Sequence, residues 1–332
     1  MRLPGFDGYH DVSATGADVA GGLFSGREVD DFLGYGEFRS EIFLQPTSPL
    51  SYERTIMTRE FAIIAAGAMG SAVARRLTEK GGRVLTLLDG RSPSTRRRAE
   101  DSGMIGVDED RIARADIVLS IVPPGKALAL AERLAPALTR KPRNPIFVDC
   151  NAIDVHTVKQ VAGIIAPSGA RFADAAIIGP PPKPGEAGPT FYISGEPATD
   201  LEVLRDYGLT VRTIDGPIGA ASALKMSYAG ITKGLAAIAA AMVLAATRAG
   251  AAAGLREELA ASQPQLLQRF AKTLPAYRWV AEMREIAAFV GEDAAASRMY
   301  GAFADLYERL AADYQGSRTE IELIERFLSR PE

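Results

Sequence analysis

The residues best placed to do chemistry begin at a short turn. An apolar run, Phe61-Ala62-Ile63-Ile64-Ala65-Ala66, leads directly into Gly67-Ala68-Met69-Gly70, and a helical pattern follows to Lys80. Strand, glycine turn and helix in that order cradle a pyrophosphate. Gly67 lets the backbone approach the phosphates, Gly70 lets helix and strand pack closely, and the first helical amides, with Ala68 and Met69 between the glycines, face the anion. Ala65 stands where the dinucleotide fingerprint has its first glycine. A second apolar run ends at Asp89, 19 residues beyond Gly70, where a carboxylate accepts hydrogen bonds from both adenosine ribose hydroxyls, as NAD requires. Arg91 and Ser92, with Arg96, Arg97 and Arg98 close behind, point the other way, because guanidinium groups suit the oxygens of a 2′-phosphate. The expected cofactor is NAD(P), with a lean towards NADP; a solvated helix face is the alternative reading of the arginine triplet.

Other chemistries find less material. The two histidines, His10 and His156, are too far apart in sequence for a helical metal pair, and one cysteine excludes a disulfide framework or a site of several thiolates. No metal is expected, Cys150 reads as a small buried residue, and acid/base work falls to Lys, Asp, Glu or Tyr. With 41 acidic against 38 basic residues the net charge is only -3, so nothing advertises nucleic acid or an anionic membrane. The apolar stretch Gly234 to Ala246 is shorter than the roughly 18 residues that span a bilayer, and reads as a buried helix. A small-molecule substrate in a reducing, cytoplasmic setting fits these features.

The elements that must position these residues follow from the apolar pattern. Strands are expected at Phe61 to Ala65, Val84 to Leu88, Ile117 to Val122, Ile146 to Asp149, Phe172 to Ala176, Thr190 to Ser194 and Thr210 to Ile214. Helices are expected at Met69 to Lys80, Ser94 to Ser102, Lys126 to Ala137 and Val155 to Ala166. That alternation predicts an α/β Rossmann domain, a doubly wound and mainly parallel sheet, over residues 57–216. Pro180, Pro181, Pro182 and Pro184 predict a rigid loop at the sheet margin. After Gly219 only helical spacing recurs, which predicts an all-α domain over 217–332. Residues 1–56 carry nine acidic and four basic residues with little periodicity, and read as a mobile extension or as translation assigned from too early a start.

With these motifs the chain resembles the β-hydroxyacid dehydrogenase superfamily, which includes 3-hydroxyisobutyrate and 6-phosphogluconate dehydrogenases. Gly67-Ala68-Met69-Gly70 resembles the family's glycine turn, and Ile121-Val122-Pro123 the strand end that lies along the cofactor. Asp149-Cys150-Asn151 occupies the segment that reaches the nicotinamide side, which makes Asn151 a candidate contact. Gly216-Pro217-Ile218-Gly219 followed by Ala223-Leu224-Lys225 resembles the approach to the family's catalytic lysine. The resemblance implies that Lys225 donates a proton to the substrate oxygen as hydride reaches the carbonyl carbon, and takes it back in oxidation. It also implies pairing of two copies through the helical domain, for which the small side chains of Ile231 to Ala246 permit close helix contact.

Two positions depart from the pattern. Asp174 to Pro180 resembles the family's substrate loop, but Ile178 stands beside Gly179 and Pro180 where a serine helps to bind a carboxylate. Ala229, four residues after Lys225, replaces an asparagine that orients substrate. Tyr228 and Ser227 are the nearest polar substitutes. The stretch Ala276 to Met283 resembles a poorly characterised phosphogluconate-dehydrogenase-like helical domain, where Arg278 would supply an anion clamp and Trp279 an aromatic wall. An imine reductase and a non-catalytic dinucleotide-binding protein remain as rival readings on the same fold.

Overall fold

A computed structural model describes residues 59–140, 145–271 and 279–329. The extension expected over residues 1–56 lies outside them. The expected alternation is present: β1 (Glu60–Ile64) leads to α1 (Ala68–Glu79), β2 (Arg83–Thr86) to α2 (Pro93–Glu100), β3 (Met104–Gly106) to a short α3 (Glu109–Ile112), β4 (Ile117–Ser120) to α4 (Ala127–Thr139), and β5 (Ile146–Asp149) to α5 (Val155–Ile165). β6 (Arg171–Ile178), β7 (Thr190–Ser194) and β8 (Thr210–Thr213) complete one eight-stranded sheet in the order β3-β2-β1-β4-β5-β6-β7-β8. Every neighbouring pair is parallel except β6 and β7. β3 was not expected: it is three residues long and only Met104 is buried, too little to register as an apolar run.

The apolar runs are continuous because both faces of the sheet are covered. Phe61 and Ile63 of β1 pack with α1 residues Val73, Ala74 and Leu77 on one side. Ala62 and Ile64 pack with Leu130 and Leu134 of α4 and Val158 and Val161 of α5 on the other. The sheet is also staggered. Residues 171–174 of β6 pair with β5, whereas residues 174–178 pair with β7. Asp174 alone in β6 has register partners on both sides, Asp149 and Ser194. The second half of β6 therefore extends past the carboxyl end of β5, and the proline-bearing loop after it joins β6 to β7.

Among the described residues six helices follow: α6 (Ala220–Arg248), α7 (Ala252–Ser262), α8 (Pro264–Ala271), α9 (Val280–Phe289), α10 (Ala294–Gln315) and α11 (Thr319–Leu328). α6 is 29 residues long and, by length and composition, passes as a membrane-crossing helix, with a mean hydropathy of 1.8 over its most apolar window. This corrects the length argument, because the helix continues well beyond the Gly234 to Ala246 run. Here it forms the spine of the helical core: Met226, Ala237, Ala240 and Leu244 pack with Met283, Ile286, Tyr307 and Leu310.

The small residues of α6 serve that core. A Cβ on Gly230 would lie 2.8 Å from the Tyr300 Oη, and one on Gly234 3.4 Å from the Phe303 ring. They admit α10 of the same chain, which corrects the reason given for pairing of two copies. The face left open carries large apolar side chains instead: Tyr228, Ile231, Leu235, Ile238 and Met242, each between 40% and 64% exposed.

Candidate active site

Gly67 is the N-cap of α1, in extended conformation, and no side chain caps this helix. The Ser71 amide donates to the Gly67 carbonyl at 2.9 Å, as in any helix, but the first-turn amides before it have no intrahelical acceptor. A Cβ on Gly67 would meet nothing within 4 Å, whereas one on Gly70 would lie 2.0 Å from the Ala65 carbonyl oxygen. Open space before uncapped amides, with helix and strand locked together behind, fits a pyrophosphate.

Asp89 and Arg91 both stand exposed in the turn after β2. Ser92 caps α2, its Oγ accepting from the Thr95 amide at 3.3 Å. The arginine triplet is exposed as a solvated face would be, yet two of its members turn back. Arg96 Nε donates to the Arg91 carbonyl at 3.1 Å, and Arg98 Nη1 donates to the Ala66 carbonyl of the glycine turn at 3.1 Å.

Between β4 and β5 the side chain of Asn151 is buried and engaged. Its Oδ1 accepts from the Val122 amide at 2.7 Å, and its Nδ2 donates to Ser120 Oγ at 2.9 Å and Asp149 Oδ2 at 2.8 Å. The Asn151 amide donates to Asp149 Oδ1 at 2.9 Å. Asn151 thus ties together the two strand ends and holds the Val122 amide, with both of its side-chain N–H donors engaged inside the protein. Burial pushes the Asp149 carboxyl up to about 7, against the hydrogen bonds from Asn151; the charge of Asp174 raises it further and that of Lys225 opposes. Cys150 is buried as expected, and its thiol is pushed well above the ordinary range.

Lys225 lies in the second turn of α6, half-buried between charged neighbours. Burial holds its ammonium below the usual lysine range; Glu282, Cys150 and Asp149 pull it back up, and Lys233 adds to the lowering. Among the described residues no carboxylate closes an ion pair on it. Lys233 pairs with Glu282 and lies 5.5 Å from the ring centroid of Trp279. Trp279 meets Tyr307 edge-on at 5.4 Å, which places it in the helical core close to this pair.

Ile178 ends β6 opposite Thr190. Gly179 adopts φ +127° and Pro180 is exposed. Ala229 is buried in the helical core, so no polar group replaces the usual asparagine. Tyr228 opens to solvent along the apolar face of α6. Arg278 lies outside the described residues. Sequence reasoning missed the buried polar set Asp174, Ser194 and Ser222. Its signal was available as a lone acid inside the apolar run of β6, but the partners needed the register of three strands.

Comparison with known proteins agrees with this geometry. Residues 60–206 match the family described as the NAD binding domain of 6-phosphogluconate dehydrogenase, and residues 246–310 match a domain of unknown function, DUF1932. An uncharacterized 28.5 kDa protein in the 7S RNA 5′ region of Methanothermus fervidus is 33% identical over 157 residues, which span 47% of this chain and 58% of that protein, less than two thirds of its length. The solved structure of the conserved protein MTH1747, of unknown function and similar to 3-hydroxyacid dehydrogenases, is 28% identical with a TM-score of 0.62, covering 76% of this chain and 99% of that one. The Mycobacterium tuberculosis 3-hydroxyisobutyrate dehydrogenase with L-serine shares the fold at 18% identity and a TM-score of 0.63, over 77% of this chain and 95% of that one. With the glycine turn, the mainly parallel sheet and the helical domain behind it, these matches show an NAD binding domain of the 6-phosphogluconate dehydrogenase type over residues 60–206 in a chain with the fold of the β-hydroxyacid dehydrogenase superfamily.

Proposed function

We propose that the protein moves a hydride between nicotinamide and the hydroxyl- or carbonyl-bearing carbon of a small acidic substrate, with Lys225 as general acid and base and NADP preferred to NAD. The observation that carries this is Lys225 itself: a half-buried amine without an ion-pair partner among the described residues, electrostatically coupled to the carboxyl end of β5. The turn from Gly67 to Gly70, with Asp89, Arg91, Ser92, Val122 and Pro123, would hold the dinucleotide. Bound there, nicotinamide supplies or accepts the hydride.

Lys225 manages the proton. As an ammonium it donates to the substrate oxygen while the carbonyl is reduced; as a neutral amine it accepts the hydroxyl proton in oxidation. Burial lowers the cost of the neutral form, so the amine cycles more readily than an exposed lysine. An imine reductase is favoured by one observation: Ile178 and Ala229 offer no polar side chain to a carboxylate. A screen of 2-keto acids, semialdehydes, aldehydes and cyclic imines with NADH and NADPH separates the two readings.

On the substrate so found, Lys225→Ala is expected to cut turnover by about 10² to 10⁴, with NADPH affinity by fluorescence titration unchanged. Lys225→Arg is also expected to be slow, because a guanidinium stays protonated. In the wild type, oxidation should rise and reduction should fall with pH through one midpoint below the usual lysine value. A Lys225→Ala variant with near wild-type turnover sinks the mechanism.

A further inference from the structure

Gly219, the N-cap of α6, sits at φ +104° and contributes no side-chain cap. The first-turn amides are met from the sheet instead. Asp174 Oδ2 accepts from the backbone N–H of Gly219 at 3.1 Å and of Ser222 at 2.9 Å, and its Oδ1 accepts the Ser222 hydroxyl at 2.7 Å. Ser194 Oγ, from the register partner on β7, donates to Asp174 Oδ2 at 3.4 Å and accepts from the Ala221 N–H at 3.0 Å. Asp174 and Ser194 are 0% exposed and Ser222 1%.

A buried carboxylate persists only when hydrogen bonds and opposite charge repay its desolvation. Desolvation raises the Asp174 carboxyl above its ordinary range, and the bonds from Ser222, Gly219 and Ser194 at the positive end of α6 offset part of that cost. A cap carried by the helix itself would satisfy the same amides but would leave the helix free to rotate against the sheet. A cap carried by β6 fixes that rotation, and Lys225 follows Ser222 by three residues, less than one turn. The neighbouring carboxylate, Asp149, does the matching work on the cofactor side through Asn151. We propose that Asp174 is a positioning residue for Lys225: through the first turn of α6 it fixes the height and direction of the amine over the carboxyl end of β5. The proposal rests on Lys225 being the acid and base.

The test needs no substrate. Full-length protein is labelled with trinitrobenzenesulfonate, which reacts with neutral amines, across a pH series; the label at Lys225 is read by mass spectrometry. NADPH binding is titrated in parallel. Asp174→Ala is expected to move the Lys225 midpoint up by about one pH unit, as a loosened helix start admits water to the amine, with the NADPH dissociation constant unchanged. Asp174→Asn keeps an oxygen for the helix amides and is expected to restore most of the midpoint. An Asp174→Ala midpoint equal to wild type overturns the proposal. An equal loss of NADPH binding also overturns it, because Asp174 would then be general support for the sheet. Should Asp174→Ala not fold, Ser222→Ala removes only the hydroxyl bond and carries the same test: an upward move supports the proposal and an unmoved midpoint overturns it. Failure of the acid/base reading is seen separately, as retained turnover in Lys225→Met, while the labelling midpoint still reports whether Asp174 sets the amine.

Discussion

Asp149 holds a carboxyl that ionises near neutrality beneath the site, pushed to about 7 from an ordinary 3.8. The folded chain therefore keeps a proton that the unfolded chain has released. Its contribution to stability is full below about pH 4, shrinks as pH rises, and is lost above about pH 7. Asp149→Asn has no such titration. The wild-type melting temperature, taken relative to this variant, is expected to fall between pH 4 and 7 and then flatten; a flat difference throughout would show that the carboxyl is ionised in the fold. The cofactor choice is also a matter of single residues. Arg91→Ala should weaken NADPH binding more than NADH binding and Asp89→Ala should do the reverse, each by roughly tenfold to a hundredfold, the equivalent of one charged hydrogen bond. Equal effects on both cofactors would remove the 2′-phosphate assignment. The strand-to-helix turn at Gly67 and Gly70 was legible in the sequence because its signal is local, glycine spacing beside an apolar run. The bonds of Asn151 to Val122 and Ser120 and the capping role of Asp174 were not legible, because their partners lie on other elements.

At the scale of elements, the two glycines of the phosphate turn do different work. Gly70→Ala would set a methyl 2.0 Å from the Ala65 carbonyl oxygen and 3.3 Å from Ile63 Cγ2. It must push α1 off β1, at a cost on the order of 1 to 3 kcal/mol as in other overpacked cores. Gly67→Ala meets nothing within 4 Å and has an ordinary φ of −75°, so it should melt like wild type while its methyl obstructs the phosphate approach. Melting curves and NADPH titrations of both variants would show stability lost in Gly70→Ala and binding lost with stability kept in Gly67→Ala. A stable Gly67→Ala that binds as wild type would argue against the turn as the phosphate site. The long strands and helices were readable from period and run length. β3 was not, being three residues with one buried side chain, and the stagger of β6 was not, because register across a sheet leaves no trace in one strand.

For the whole molecule, the open face of α6 is the surface on which we propose that association depends. Tyr228, Ile231, Leu235, Ile238 and Met242 recur at alternating spacings of three and four, the pattern of a helix seam. A second copy is the proposed occupant, and the full-length protein is expected to sediment as a dimer at micromolar concentration. Ile231→Glu with Ile238→Glu should yield monomers with an intact fold, since both side chains are already exposed. A monomeric wild type would refute the assignment. The sequence pointed to this helix through its small residues, but those at Gly230 and Gly234 face α10, and only the three-dimensional packing separates the face used within the chain from the face left over.

The anchoring of α6 to the sheet bears on how such proteins diversify. The matched regions stop at residue 206 and resume at residue 246, so β8 and most of α6 lie between them, the first turn of α6 bonded to β6 and β7 and its far end packed in the bundle. The bonds that seat its start come from Asp174 of β6 and Ser194 of β7 and involve no residue of the helices after it. α6 therefore marks where the terminal helices could be replaced: a chimera that keeps the chain through α6 and takes other helices after it is expected to keep the seated first turn and an unchanged NADPH affinity by titration.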